Sequence, residues 1–179
     1  MTFPTFSAGE VLRAADMNAV GLWLVKTQTI GTGVTSVTVT GAFSSDFNRY
    51  KITVDGGVGS AIADVQLRLG STATGYYGFL NYGTYTSNTV LGFALSNGST
   101  FGYAGAGSTE TLFVDAELSN PFETKRTVFA SRFAVAATTS SSAHFTGYLN
   151  DNTSYTAFTL IASSGTFTGG TIRVYGYQK

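Results

Sequence analysis

From Thr27 to the end of the chain, apolar residues alternate with hydroxyl-bearing or charged ones in short runs separated by Gly, Asn and Pro. Tyr50, Ile52 and Val54 alternate with Lys51, Thr53 and Asp55, and Val65, Leu67 and Leu69 alternate with Gln66 and Arg68. A period of two sends successive side chains to opposite faces of a pleated strand, so each run reads as a half-buried strand. Val34, Val37 and Val39, set among Thr35, Thr38 and Thr40, have the β-branched character that suits such a surface. Further strands are predicted over 76–83, 89–95, 100–104, 110–118, 126–136, 143–149, 155–162 and 171–178. Gly56-Gly57, Asn97-Gly98, Asn120-Pro121 and Gly169-Gly170 supply turns. No amphipathic helix separates these runs, which favours antiparallel neighbours over βαβ units. The expectation is an all-β fold, an antiparallel jelly-roll-like β-sandwich in which Phe129, Phe133 and Val135 share one buried face.

The start follows another rhythm. Ser7-Ala8-Gly9-Glu10 has the spacing of a capping box, and Val11, Leu12, Ala15, Met17, Ala19 and Val20 lie close to a 3.6 period that Gly21 can end. Pro4 keeps the residues before it extended. A short N-terminal helical segment is therefore expected within residues 5 to 24. The organisation that follows is an attachment segment at 1–26 and a β-sandwich domain at 27–179. An isolated helix of about 12 residues is marginal in water, so its apolar stripe must rest on the chain's own β-domain or on another protein. Phe3, Phe6, Val11, Leu12, Met17, Val20 and Trp23 are the candidate attachment residues, and Leu22, Leu24 and Val25 extend that apolar character.

Charge narrows the partners. Only 11% of the 179 residues are charged, and ten basic side chains balance ten acidic ones. Phosphate recognition needs surplus Lys and Arg on one face, so neither nucleic acid nor membrane insertion is expected. A surface so poor in charge is built from hydroxyls, glycine and rings, or is hidden by neighbouring copies, and self-association is expected. Cysteine is absent, which excludes disulfides and thiolate metal sites. MTFPTF lacks the basic and apolar regions of a secretion signal, and no run approaches a membrane span of about 18 apolar residues.

Candidate chemistry is sparse. The single His144 sits on a predicted strand with Ala143, Phe145 and Gly147 on the opposite face, and a lone base is only one part of a catalytic group. Asp115 and Glu117 share a strand face, an arrangement open to glycoside hydrolysis or calcium binding. Cross-strand ion pairs with Lys125, Arg126 and Arg132 explain them more simply. Asp151-Asn152 is a turn without the spaced acids of a calcium loop, and no phosphate-cradling glycine motif occurs. No catalytic residue, metal site or cofactor is expected. The stretch GYYGFLNYGTY interleaves Tyr76, Tyr77, Phe79, Tyr82 and Tyr85 with Gly and Asn, and Phe101 and Tyr103 follow in a second such stretch. Flat rings with polar tips suit recognition of sugars or proteins, and equally suit core or subunit packing. These seven residues are the receptor-contact candidates.

Three phrases together, FSAGEVLRAADMNAV, FNRYKITVDGGVGSAIADVQLRLGSTATGYYG and TIRVYGYQK, resemble tailed-bacteriophage virion proteins in which a short N-terminal attachment segment precedes a jelly-roll module. The resemblance implies a homotrimeric, non-enzymatic component on the outer surface of the virion, on tail or capsid. The expected function is that of a tail fibre or receptor-binding protein, fixed to other virion proteins by its first residues and touching host surface glycan or protein through its β-domain loops. The alternatives are a capsid decoration or head-fibre protein on the major capsid lattice and, from another class, a glycan depolymerase.

Overall fold

In the computed structural model, which describes Gly9 and residues 21–137 and 141–179, the alternation becomes strands joined by turns, with no helix among the described residues. In chain order the strands are β1 (Leu22–Thr29), β2 (Ser36–Val39), β3 (Arg49–Asp55), β4 (Val58–Gly59), β5 (Ala63–Leu69), β6 (Tyr76–Thr84) and β7 (Val90–Gly98). They continue with β8 (Phe101–Gly107), β9 (Leu112–Ser119), β10 (Thr127–Ala134), β11 (Ser141–Leu149), β12 (Phe158–Ala162), β13 (Phe167–Thr168) and β14 (Thr171–Tyr177). Every pairing is antiparallel. Each predicted strand is present with ends moved by a few residues. The turn positions Asn97 and Asn120 take positive φ, 53° and 63°, which Asn tolerates better than other side chains.

The large sheet divides at β9. One edge of β9 pairs with β3 from Val114 to Ser119; on the other edge, residues 116–119 pair with β10 and residues 112–114 pair with β8. One arm therefore runs β1-β14-β3-β9-β10-β11-β6-β7, and the other runs β8-β5-β12-β2. The arms meet face to face in one core, as in a sandwich. Phe101 of β8 lies flat on Phe129 of β10, with centroids 4.4 Å apart and planes 8° apart. Tyr76 of β6 meets Phe101 edge-on at 4.8 Å, and Phe43 bridges Tyr50 of β3 and Phe158 of β12. Phe129, Phe133 and Val135 are buried together as the pattern predicts.

Two features differ from the expectation. Residues 22–26, grouped above with the attachment segment, lie in β1, which pairs with β14 as part of the large sheet. The run Leu22-Trp23-Leu24-Val25 hides its alternation because a register shift falls between Leu24 and Lys26 and because both faces carry apolar side chains. The predicted helix lies outside the described residues; Gly9, described alone in that segment, has φ of 89°, a left-handed turn value.

Tyr76 shows how the core is made specific. Its ring is fully buried, while its hydroxyl accepts the Leu69 N–H at 2.9 Å and donates to the Thr72 carbonyl at 3.1 Å, joining β6 to the end of β5. Tyr76→Phe keeps the ring and orphans a buried N–H, so we expect a loss of about 1–3 kcal/mol, read as a lower urea midpoint with an unchanged slope.

Candidate functional site

The outward rows of β10, β11 and β6 are fixed by what their neighbours bury. Phe129, Phe145 and Tyr76 point into the core, so Val128, Tyr148 and Tyr77 stand side by side on the outer face in one row, and Ala130, Thr146 and Phe79 in the next. The Tyr77 and Tyr148 rings stack with centroids 5.5 Å apart at 15°, and the Arg126 guanidinium lies 5.7 Å from the Tyr148 centroid. Two glycines make this face possible. A Cβ on Gly78 would come within 2.3 Å of the Phe145 ring beneath the sheet, and one on Gly92 of β7 would come within 2.5 Å of the Phe79 ring above it. Phe79 thus occupies the space over Gly92, yet it is 45% exposed. Phe79, Val128, Tyr148 and Arg126 line a shallow depression of about 480 Å³.

Arg126 also closes one side of a polar hollow of about 500 Å³ lined by Thr72, Thr74, Asn97, Asn150, Asp151 and Asn152. This rim is ordered by its own hydrogen bonds. Asn97 Oδ1 accepts from the Thr74 hydroxyl and the Gly75 N–H, each at 3.0 Å. Asp151 accepts from the Thr153 hydroxyl at 2.6 Å, the Tyr155 hydroxyl at 2.6 Å and the Thr153 N–H at 2.7 Å. Those donors hold its carboxyl below the usual range. Apolar ring surface beside amides, hydroxyls and one guanidinium can hold a ligand that is flat and apolar on one side and polar at its edges.

The seven receptor-contact candidates separate. Tyr77 and Phe79 belong to the shelf, and Tyr85 is exposed just beyond the end of β6. Tyr82 and Tyr103 meet Phe93, Phe133 and Asp64 at a mouth of about 240 Å³. Burial raises the Asp64 carboxyl there. Tyr76 and Phe101 are both wholly buried and edge-to-face with one another, so they are core residues and face no receptor. Tyr148 and Val128 escaped the sequence reading, and Arg126 entered it only as an ion-pair candidate, because each is a single residue in an ordinary strand or loop, brought to Phe79 only by the β10-β11-β6 register. Trp23 is half-buried on β1, while Phe3, Phe6, Val11, Leu12, Met17 and Val20 lie outside the described residues.

A charged cluster occupies the same outer face farther along. Asp115 takes Lys51 at 2.8 Å and Arg132 at 2.7 Å, while Glu117 pairs with Arg49 and accepts the Tyr177 hydroxyl at 2.6 Å. Ion pairing explains these acids, as expected, but of the three predicted partners only Arg132 takes part. Lys125 faces Glu123 at 3.9 Å, and Arg126 rests on Tyr148. Lys51, Asp115, Glu117, Arg132, Thr146 and the exposed His144 line a depression of about 260 Å³. Partial burial works to raise both carboxyls, yet hydrogen bonds from Lys51 and Arg132 to Asp115, and from Tyr177 and Arg49 to Glu117, leave each below its ordinary value. Burial and the Glu117 contact push the Tyr177 hydroxyl up to about 12. A general acid for glycoside hydrolysis needs the opposite shift. Among the described residues, no group of three or more His, Cys, Asp or Glu is placed to hold a metal.

Comparison with protein-family models, with curated proteins and with solved structures returned no match.

Because both carboxyls titrate lower folded than unfolded, the stability they contribute is present above the unfolded values, about 4, and is lost as pH falls through the folded ones. The urea midpoint should therefore fall between pH 5 and pH 2, and Asp115→Asn with Glu117→Gln should flatten that fall while lowering the midpoint at pH 7.

Proposed function

We propose that this chain is a binding module on the outer surface of a tailed-bacteriophage virion, fixed to the particle by the residues ahead of β1 and presenting the Tyr77–Tyr148 shelf to the host surface. The observation that carries the reading is the pre-ordered shelf: two stacked tyrosines, Phe79 seated over Gly92, and Arg126 shared with a rim of amides and hydroxyls. A surface glycan has the matching chemistry, since its sugar rings have apolar faces and hydroxyl edges. The resemblance of the opening, middle and closing phrases to virion proteins supports the location. Nested pairing of early strands with late ones, β3 with β14, β5 with β12 and β6 with β11, supports the jelly-roll form, in which one long hairpin is rolled on itself. The role is non-enzymatic: Asp115 and Glu117 act as partners of Lys51, Arg132, Arg49 and Tyr177. Single contacts of this kind are weak, and many copies on a particle make them effective together.

The test is binding of the purified chain to an array of bacterial envelope glycans and to whole bacterial cells. Phe79→Ala and Tyr148→Ala should each weaken binding about tenfold, about 1.4 kcal/mol, while Thr53→Ala on the same outer face leaves it unchanged. Full binding by both ring variants, with native circular dichroism, would remove the shelf from the proposal.

A further inference from the structure

Among the described residues, three strands of the large sheet are paired on one side only: β1, β2 and β7. Such edges carry unpaired N–H and C=O groups and invite another strand, so proteins shield them by brevity, by lysine or by a bulge. β2 is short, spanning Ser36–Val39. β1 carries Lys26 and a register shift beside it. β7 has neither shield along most of its length. It spans Val90–Gly98, pairs regularly with β6 from Val90 to Leu95, and contains no Lys or Pro. Residues 69–109, which include the whole β6–β7 hairpin, contain no Asp, Glu, Lys, Arg or His. Val90 is 74% exposed and Phe93 52%, and Leu91 is exposed beside them.

We propose that β7 is the seam by which two copies of this chain pair, antiparallel and across a twofold axis at Phe93. The occupant is a second copy because the strand complements itself. With the axis at Phe93, Leu91 stands opposite Leu95 of the other copy, Phe93 opposite Phe93, and Gly92 opposite Ala94. Leu91, Phe93 and Leu95 share one face of β7, so the seam joins two apolar rows, while the small residues on the other face let the backbones meet without obstruction. Close to a twofold axis a side chain lies near its own counterpart, where any charge would meet its like; β7 has none, and the chain's ten basic and ten acidic residues leave no net charge to keep copies apart. The pairing extends the sheet and satisfies the open edge. The seam rests on the edge alone and stands whether or not the shelf binds a glycan.

Sedimentation equilibrium tests the mass, which should be twice that of the chain and not the three times that the virion-protein resemblance implies. Phe93→Lys should weaken self-association at least about tenfold, since like charges placed directly opposite repel, and Ala94→Lys should weaken it as well, since it sets the two new charges on a diagonal across the axis, with circular dichroism unchanged because both positions are exposed. The chain has no cysteine, so Phe93→Cys should form a disulfide-linked dimer under mild oxidation, and Ser87→Cys at the hairpin turn should not. A monomeric or trimeric native chain, a dimer indifferent to both lysines, or equal crosslinking at 87 and 93 would overturn the seam.

Discussion

The contact on which the rest of the molecule depends is the flat stacking of Phe101 on Phe129, braced edge-on by Tyr76 and flanked by Phe145. These rings belong to β8, β10, β6 and β11, so they press one arm of the divided sheet against the other. Aromatic pairs at such distances contribute about 0.5–1.5 kcal/mol beyond their buried area. Their larger effect is on register. A slip of one residue in a strand would turn every ring outward and every outer side chain inward. Ser131 on the same inner face donates to the Tyr103 carbonyl of β8, a directional bond that tolerates no such slip.

The outer face is a consequence of that register. With Phe129, Phe145 and Tyr76 committed to the core, Val128, Tyr148 and Tyr77 have no choice but to stand outside, level with one another. Gly78 leaves room for the Phe145 ring below, and its cross-strand partner Gly147 leaves room for the Tyr77 carbonyl. The same commitment places Asp115 and Glu117 where Lys51, Arg132 and Arg49 can reach them from the strands alongside. Core packing and surface chemistry are thus two sides of the same strands, and a substitution that disturbs one is felt on the other.

Much of this was legible in the sequence. Alternation located the strands, because it reports directly on burial, and the ion-paired reading of Asp115 and Glu117 followed from opposite charges on predicted strands. The faces of GYYGFLNYGTY were not legible: rings occur at both parities, so Tyr76 and Tyr77 are indistinguishable until pairing with β11 sends one inward and the other out. Tyr148, and the place of Arg126 beside it, were invisible for a related reason, since nothing local marks a contact with a neighbour far along the chain. β1 was obscured by apolar residues on both faces next to an apolar N-terminal stretch, where the two-residue period is lost.

The most direct measurement of the register is thiol reactivity at single cysteines, in a chain that has none of its own. Cysteines at 77, 79, 146 and 148 should react in the folded protein at nearly the rate of a free thiol, and those at 80, 129 and 143 only as fast as the domain opens. The reverse pattern, or equal rates at both sets, would contradict the inward commitment of the rings and with it the shelf.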